Sequence, residues 1–233
     1  VDVIHPILYP ACPNRHTMRA VRFHEHGGRE VLQVDTVETP DPGHGEVVVD
    51  IEAAGVNPVD TYFREGAYPV PHLPFIGGGD LAGVVSEVGE GVETFSPGDR
   101  VLGTGLGNGR PGTYAEGVAA PADTLAHLPE AVSFAEGAAL GTVGGTAWQA
   151  LVHHADVDPA ERVLVHGGAG GVGHIAVQLA ETMGAHVNAT ASPDDADALA
   201  DLGVEETIDY SRDDLEAAIA DAGARDVVVD LHM

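Results

Sequence analysis

A cluster of glycines in the second half of the chain has the spacing that phosphate binding requires. Gly168, Gly170 and Gly173 follow the pattern G-x-G-x-x-G directly after an apolar run. In such a unit one glycine allows a tight turn, one lets the backbone approach a pyrophosphate and one packs the helix closely. The following helix would direct its free N–H groups and positive dipole end at the phosphates, so we expect Gly171 and Val172 to bind as well. The cluster predicts a dinucleotide site.

The elements around the glycine cluster have the order that this interpretation needs. A β-branched strand at 163–165 precedes the cluster, and apolar residues at helical spacing follow it. A second apolar strand within 185–190 comes at βαβ distance. The alternative is a purely structural turn, since glycine-rich turns also occur without a ligand. The context favours the dinucleotide site.

The composition excludes several classes of function. The sequence has 37 acidic and 10 basic residues, all of the basic ones arginine, and a formal net charge of −27. A chain this acidic lacks the basic face that nucleic acids and anionic membranes require. It repels itself at low ionic strength, and molar salt screens that repulsion. The composition therefore indicates a salt-loving, cytoplasmic protein over an ordinary acidic one, and the single Cys12 excludes a multi-cysteine zinc site.

The periodicity of the apolar residues and the turn signals divide the chain into three parts. Residues 1–17 have no periodicity and contain three prolines, so we interpret them as a disordered or spurious leader. Residues 18–130 have the short strands and frequent turns of a compact, barrel-like β domain. Residues 131–233 alternate helices and strands, as a dinucleotide-binding domain does. The predicted strands are 20–23, 32–37, 47–53, 83–88, 101–103, 114–119, 163–165, 187–190 and 227–231, and the predicted helices before the glycine cluster are 134–140 and 147–155.

Four further motifs lie along the chain, in the order 53–62 (AAGVNPVDTY), 83–89 (GVVSEVG), 97–101 (PGDRV) and 145–148 (GTAW). Together with the glycine cluster they resemble the medium-chain dehydrogenase/reductase superfamily, and within it the zinc-free quinone oxidoreductases related to zeta-crystallin. The resemblance implies an α/β protein in which a GroES-like β-barrel-type domain precedes a Rossmann domain. It also implies hydride transfer from NADPH to a quinone or conjugated enone, and a homodimer.

The zinc-dependent branch of that superfamily differs from this chain at two places. It has a cysteine ligand where this chain has Asn57, and a His-Glu pair where this chain has Gly79 and Asp80. A catalytic zinc needs three protein ligands, so we expect a zinc-independent enzyme. A quinone or enone suits such a site, because the acceptor itself delocalises the incoming charge. A zinc-type alcohol dehydrogenase relative and a non-catalytic dinucleotide-binding protein are the alternatives.

By resemblance, a catalytic pocket is lined by Asn57, Asp60 and Tyr62, with Tyr68 near its mouth. We assign Asn57 to orienting the nicotinamide or the substrate oxygen, and Tyr62 to hydrogen-bonding the acceptor. The structural alternatives are that Asn57 and Pro58 form only a turn and that Tyr62 is a core aromatic residue.

The remaining cofactor contacts concern the two ends of the nicotinamide dinucleotide. By resemblance, Thr146 lies beside the nicotinamide ring; its structural alternative is a helix N-cap. The second strand ends in Thr190-Ala191-Ser192, without the acid that binds the ribose of NAD, which favours NADPH. The family's phosphate-binding lysine corresponds to Ala196, and Tyr210 matches a family tyrosine near the 2′-phosphate. We hypothesise that Arg212 supplies the missing positive charge, with an ordinary exposed arginine as the alternative.

The dinucleotide-binding domain is expected to be incomplete. We count three strands in it, whereas a full domain has six in two halves. The last predicted strand ends at Leu231, two residues before the last residue of the sequence, Met233. We therefore expect a fragment or a truncated reading frame, with an open sheet edge that favours aggregation.

Overall fold

The computed structural model describes residues 17–223 and 225–231. The chain forms two compact units: the first ends at Ala139 and the second begins at Leu140, inside one helix. The boundary expected from the sequence, 130/131, lies before that helix. Thr17 already belongs to the first strand, and the rest of the expected leader, 1–16, lies outside the described residues.

The first unit is built mainly from β-strands, and a short helix follows the third strand. A five-stranded antiparallel sheet has the order β7-β3-β5-β6-β8, and a three-stranded sheet has the order β2-β1-β4. The elements are β1 (Thr17–Phe23), β2 (Leu32–Glu38), β3 (Glu46–Gly55), α1 (Pro58–Glu65), β4 (Phe75–Ile76), β5 (Asp80–Val88), β6 (Arg100–Gly103), β7 (Gly117–Pro121) and β8 (Leu125–His127), with 3₁₀ turns at Arg29–Val31 and Ala122–Thr124.

The core of the first unit lies against β3 and its neighbour β5. Val47 and Val49 of β3 are fully buried, and they pack with Leu81 and Val85 of β5 and Val101 of β6. Alternate residues of a strand share one face of the sheet, so the apolar alternation in these strands fixes their register. β3 and β5 run antiparallel with Gly55 opposite Asp80, which places the start of β5 beside the residues that lead into α1.

The second unit is a parallel sheet with helices, in the strand order β11-β10-β9-β12. Its elements are α2 (Phe134–Trp148, shared with the first unit), a π-helical turn (Gln149–His154), β9 (Arg162–His166), α3 (Gly171–Thr182), β10 (His186–Ala191), a 3₁₀ turn (Pro193–Asp195), α4 (Ala196–Asp201), β11 (Glu206–Asp209), α5 (Leu215–Asp221) and β12 (Val227–Asp230). Val163 and Val165 of β9 are fully buried against Ala176, Val177 and Ala180 of α3. Among the described helices, none is long and apolar enough to cross a membrane.

Several sequence predictions of secondary structure are corrected. The sheet of the second unit has four strands and not the predicted three. The additional strand is β11, which the sequence did not reveal because only Ile208 of its four residues is buried and it has no apolar run. The predicted helices 134–140 and 147–155 are one continuous helix followed by the π-helical turn, because Ala147 and Leu151 pack into the core and override the intervening glycines. The strand predicted at 114–119 begins at Gly117, after a single bridge between Ala115 and Ala20.

Candidate functional site

The glycine cluster forms the predicted turn between β9 and α3. β9 ends at His166, and Gly167 has a left-handed backbone with a φ of 72°, which favours a residue without a Cβ. The N–H of Gly168 donates to the carbonyl of Thr190 at 2.9 Å, and the N–H of Gly170 donates to the carbonyl of Gly167 at 2.9 Å. The reversal of the chain therefore depends on Gly167, one residue before the first glycine of the motif.

Close packing requires two of the three motif glycines. A Cβ on Gly168 would lie 2.6 Å from the Cβ of Ala189 in β10, and a Cβ on Gly173 would collide with the carbonyl of Gly167. A Cβ on Gly170 would meet only that carbonyl, at 3.2 Å, and Gly170 is exposed. Gly168 and Gly173 thus hold the helix and the strand against the turn, while Gly170 leaves the backbone open.

The turn presents main-chain donors to solvent at the start of α3. Gly170 is the N-cap of this helix, Gly171 is exposed and Val172 is half-buried. The first N–H groups of a helix have no intrahelical partner and carry the positive end of its dipole. These exposed N–H donors lie beside a turn where glycines leave open the space that side chains would fill. This arrangement fits a pyrophosphate group.

Thr190 stabilises the turn from the neighbouring strand. It lies in β10 and is only 3% exposed. Its Oγ1 accepts a hydrogen bond from the N–H of Gly167 at 3.1 Å and lies 3.2 Å from Nδ1 of His166. One buried hydroxyl therefore links β10 to the residue whose backbone conformation makes the turn.

Thr146 lies within α2, on the side of the second unit that approaches the glycine turn. Its hydroxyl donates to the carbonyl of Thr142 at 2.7 Å, so Thr146 is inside the helix, and the N-cap alternative is wrong. A Cβ on Gly171 would lie 3.4 Å from Cγ1 of Val143 in α2. Val143 precedes Thr146 by one helical turn, so the structure brings the helix of Thr146 to the start of α3.

The residues expected at the adenosine ribose follow neighbouring strand ends. Ala191 of β10 pairs with Asp209 of β11, and the N–H of Tyr210 donates to the carbonyl of Ala191 at 3.3 Å. Ser192 and Tyr210 therefore come together at the carboxyl edge of the parallel sheet, where such sheets bind ligands. Arg212 follows two residues later.

The charges at this edge differ from the sequence interpretation. Oγ of Ser192 donates to the carboxylate of Asp195 at 2.8 Å, because the 3₁₀ turn at Pro193–Asp195 returns Asp195 to the strand end. The sequence placed Asp195 in an acidic run around Ala196 but did not predict that its carboxylate lies beside Ser192. Nε and Nη2 of Arg212 donate to Asp214 at 2.6 and 2.9 Å, and the hydrogen bond to Arg212 holds the pKa of Asp214 below its ordinary value.

In the first unit, two carboxylates hold Asn57 at the start of α1. Asn57 is the N-cap residue and only 9% exposed. Its main-chain N–H donates to Oδ2 of Asp60 at 2.7 Å, as in a capping box. Its side-chain Nδ2 donates to Oδ2 of Asp80 at 2.7 Å. The amide of Asn57 is therefore fixed in one orientation, with its carbonyl oxygen on the side away from Asp80.

The buried carboxylate of Asp80 has a second donor. Asp80 is 1% exposed, and Oγ1 of Thr104 donates to its Oδ1 at 2.5 Å. Buried carboxylates are retained where hydrogen bonds satisfy them. Sequence reasoning considered Asp80 only as a departure from the zinc ligands and missed Thr104. Neither contact has a local signal, since Asp80 lies 23 residues from Asn57 and 24 from Thr104.

Tyr114, which sequence reasoning also missed, completes this arrangement. Its hydroxyl donates to Oδ2 of Asp60 at 2.8 Å. Burial raises the pKa of the Tyr114 hydroxyl above its ordinary value, and the hydrogen bond to Asp60 raises this pKa further. Tyr114 therefore keeps its proton and acts as a neutral donor. Asp60 and Tyr114 lie in the wall of a cavity of about 440 Å³, with Thr61 and Arg64 of α1.

The aromatic residues expected in the pocket form a separate group. The rings of Tyr62 and Tyr68 pack edge to face with their centres 5.7 Å apart, and Tyr68 also contacts the ring of Phe63 at 5.4 Å. Tyr62 follows Asp60 by two residues, about 200° around the helix. The structure thus brings Asn57 together with Asp60, and Tyr62 together with Tyr68, but it places Tyr62 on another side of α1 from the cavity.

The arrangement around Asn57 consists of amide, carboxylate and hydroxyl groups. Across residues 17–223 and 225–231, no three histidine, cysteine, aspartate or glutamate side chains are grouped so that they could hold a metal ion. A zinc site of the usual kind needs thiolate, imidazole or carboxylate ligands with open coordination, and the Asp80 carboxylate already accepts two hydrogen bonds.

Comparison with known proteins places both units. The family model described as "Alcohol dehydrogenase GroES-like domain" matches residues 43–130, and the model described as "Zinc-binding dehydrogenase" matches residues 171–232. The "Quinone oxidoreductase" of Homo sapiens is 43% identical over 180 residues, which are 76% of this chain and 54% of the relative. "Quinone oxidoreductase 1" of Escherichia coli (strain K12) is 39% identical over 84% of this chain and 59% of its own length. The chain thus spans little more than half the length of these relatives.

Solved structures agree with this placement. The quinone oxidoreductase from Coxiella burnetii matches with a TM-score of 0.85 and 37% identity, over 92% of this chain and 68% of that one. A structure described as an NAD-dependent alcohol dehydrogenase matches with a TM-score of 0.86 and 37% identity, over 91% and 70%. Fold and matches together define a GroES-like domain followed by a Rossmann domain, as predicted from the sequence. The chain belongs to the medium-chain dehydrogenase/reductase superfamily, a group of dinucleotide-binding oxidoreductases.

Proposed function

We propose that this chain carries the sites for zinc-independent hydride transfer from NADPH to a quinone or a conjugated enone. The observation that carries the proposal is the turn between β9 and α3, where Gly168 and Gly173 are fixed by packing and the helix start is exposed. Relatives named quinone oxidoreductase, at 39–43% identity, support the acceptor class.

The chain's own residues divide the work between binding and orientation. The main-chain donors at the start of α3 bind the pyrophosphate, and Thr190 keeps the turn in place. Asp80 holds the side-chain amide of Asn57 in one orientation, and Asn57 orients the nicotinamide or the substrate oxygen. Asp60 fixes the backbone of Asn57, and Tyr114 fixes Asp60. The nicotinamide, once bound, supplies the hydride, and the protein positions it against the acceptor.

The choice of acceptor follows from the chemistry of these groups. An isolated carbonyl needs an electrophile that stabilises the developing alkoxide, as a metal ion does. Amide and hydroxyl groups stabilise that charge more weakly, whereas a quinone or enone delocalises it. Asn57 and Asp80 stand where the zinc-dependent branch has metal ligands, and they hydrogen-bond each other. Tyr62 and Tyr68 are proposed to contact the acceptor, with Tyr62 as the hydrogen-bond donor.

We assign the 2′-phosphate of NADPH to Ser192, Tyr210 and Arg212, and the nicotinamide ring to Thr146. The adjacent strand ends of β10 and β11 support the first assignment. Arg212 is exposed, so exchanging its partner Asp214 for a phosphate costs little.

An alcohol dehydrogenase is the second candidate, since the structure described as an NAD-dependent alcohol dehydrogenase matches this chain at a TM-score of 0.86. Turnover distinguishes the two candidates. Purified chain in 1 M KCl is titrated with NADPH and NADH by nucleotide fluorescence. It is then assayed for quinone reduction with the reduced nucleotides and for alcohol oxidation with NADP+ and NAD+, each with and without a chelator. Quinone reduction that survives the chelator supports the proposal. Chelator-sensitive alcohol oxidation contradicts it, and nucleotide binding without turnover of either substrate indicates a non-catalytic binding protein.

The acidic composition sets the proposed working conditions. At a net charge of −27, we propose a salt-rich cytoplasm, no nucleic-acid or membrane partner, and a homodimer. The unfolding temperature should rise between 0.1 and 2 M KCl because salt screens self-repulsion. An unfolding temperature that is the same at both salt concentrations would contradict the halophilic assignment, and light scattering in 2 M KCl measures the oligomeric state.

A further inference from the structure

A carboxylate lies at the position where the sequence led us to expect a 2′-phosphate. Ser192 follows β10 directly, and its hydroxyl donates to Oδ2 of Asp195 at 2.8 Å. The 3₁₀ turn at Pro193–Asp195 makes this contact, with Ser192 as its N-cap. The hydroxyl that would donate to a phosphate thus already donates to an acid.

We propose that Asp195 is a selectivity residue that weakens binding of a ribose 2′-phosphate and supports a free 2′-hydroxyl. The inference rests on the proposed function, because it concerns the same dinucleotide. A phosphate near Ser192 competes with Asp195 for the hydrogen bond from the Ser192 hydroxyl, and its negative charge lies beside the Asp195 carboxylate. A free ribose hydroxyl instead donates a hydrogen bond to Asp195. The carboxylate therefore acts in opposite directions on NADPH and NADH.

The other charged groups at this edge leave the effect of Asp195 uncancelled. Asp209, opposite Ala191 in the sheet, accepts hydrogen bonds from the N–H and hydroxyl of Ser211. Arg212 donates twice to Asp214. The Arg212 guanidinium thus already interacts with carboxylates, with Asp214 by hydrogen bonds and with Asp209 through its charge. A cofactor phosphate that takes it from Asp214 still meets the Asp195 carboxylate beside Ser192.

The test measures the ratio of the dissociation constants for NADH and NADPH. Wild type, Asp195→Asn and Asp197→Asn are titrated with each nucleotide by fluorescence in 1 M KCl. The Asp195→Asn substitution keeps the shape of the side chain, and the new amide oxygen can still accept from Ser192. Asp197 is exposed on α4, so its substitution removes the same charge two residues away. At this salt the Debye length is about 3 Å, so a charge acts mainly where it touches the cofactor. Thermal unfolding of the three proteins confirms that each is folded.

Asp195→Asn is expected to tighten NADPH binding and weaken NADH binding, and so to shift the ratio about tenfold toward NADPH, as loss of one close like-charge contact would. Asp197→Asn should leave the ratio within about twofold. An unchanged ratio in Asp195→Asn overturns the inference and leaves the proposed function standing. Equal shifts in both variants also overturn it, since net charge then explains the effect. If the folded wild type binds neither nucleotide, the proposed function fails first and the inference fails with it.

Discussion

The glycine turn of the second unit and the surroundings of Asn57 in the first are built by opposite means. At the turn, the start of α3 is exposed with its main-chain donors, and side chains are excluded by packing around Gly168 and Gly173. Around Asn57, side chains from three separate segments satisfy one another, and the main-chain N–H groups of the capping box complete the arrangement. The shape of the glycine turn depends on positions that have no room for a Cβ atom. The shape of the surroundings of Asn57 depends on hydrogen bonds between particular polar atoms. The two should therefore respond differently to substitution.

The largest effect is expected from adding one methyl group at the turn. Gly173→Ala places a Cβ against the carbonyl of Gly167, and backbone cannot move aside as a side chain can. We expect a loss of about 3 kcal/mol in the free energy of unfolding together with loss of dinucleotide binding, measured by denaturant unfolding and fluorescence titration. Gly145→Ala in α2 is the control, because its Cβ would meet nothing within 4 Å, and it should stabilise the chain by about 1 kcal/mol. A Gly173→Ala protein as stable as wild type would contradict the packing argument.

The corresponding substitution in the first unit removes a partner instead of adding an atom. Asp80→Ala leaves the amide of Asn57 and the hydroxyl of Thr104 without their acceptor in a buried place. We expect a loss of about 2 kcal/mol in the free energy of unfolding, measured in the same way. Asp123→Ala, at a carboxylate nearer the surface, is the control and should change stability by less than about 0.5 kcal/mol. Equal effects of the two substitutions would show that the network contributes nothing.

Thr190→Val tests whether the turn also depends on a side chain. The change removes the acceptor of the Gly167 N–H with little change in shape. We expect a loss of about 1.5 kcal/mol in the free energy of unfolding and weaker binding of both nucleotides by a similar factor. Thr207→Val, on the neighbouring strand β11, is the control. If Thr190→Val leaves nucleotide affinity unchanged, the turn is held by its glycines alone.

Alkaline pH should weaken the first unit through Tyr114. The pKa of its hydroxyl is raised in the folded state, while a tyrosine in the unfolded chain has a pKa near 10. Its contribution is therefore fully present below pH 10 and is lost as the pH rises from there toward the folded pKa, by up to about 1.4 kcal/mol per pH unit. Unfolding measured from pH 8 to 11.5 should show a steeper decline for wild type than for Tyr114→Phe. Tyr68→Phe, at an exposed tyrosine, should decline like wild type.

The smallest effect is expected at Arg212. If its guanidinium binds the 2′-phosphate, Arg212→Ala should weaken NADPH binding about threefold, since an exposed ion pair contributes under about 1 kcal/mol, and should leave NADH unchanged. Fluorescence titration of both nucleotides measures this. An unchanged preference for NADPH would mean that Arg212 serves only Asp214.

How far each site could be predicted from sequence depends on whether its contacts are local in the chain. The glycine turn was recognisable because its requirements are local: one short motif, a strand before it and a helix after it. Even there the left-handed residue, Gly167, fell outside the motif. Asp80, Thr104 and Tyr114 gave no signal, because their partners lie 23 to 54 residues away and only the paired strands bring them together. The contact of Asp195 with Ser192 was not predicted, because the short turn that makes it has no apolar pattern.

The contact between Asn57 and Asp80 has a consequence for motion. Gly55, the last residue of β3, pairs with Asp80, the first residue of β5, and the Asn57 amide donates across that same strand boundary. We therefore expect the start of α1 to belong to the cooperative unit of the sheet and to loosen only when the sheet opens. Amide hydrogens of Asn57 and Asp60 should therefore exchange with solvent deuterium only through sub-global opening, at the slow rate of the central strands and not at that of surface loops.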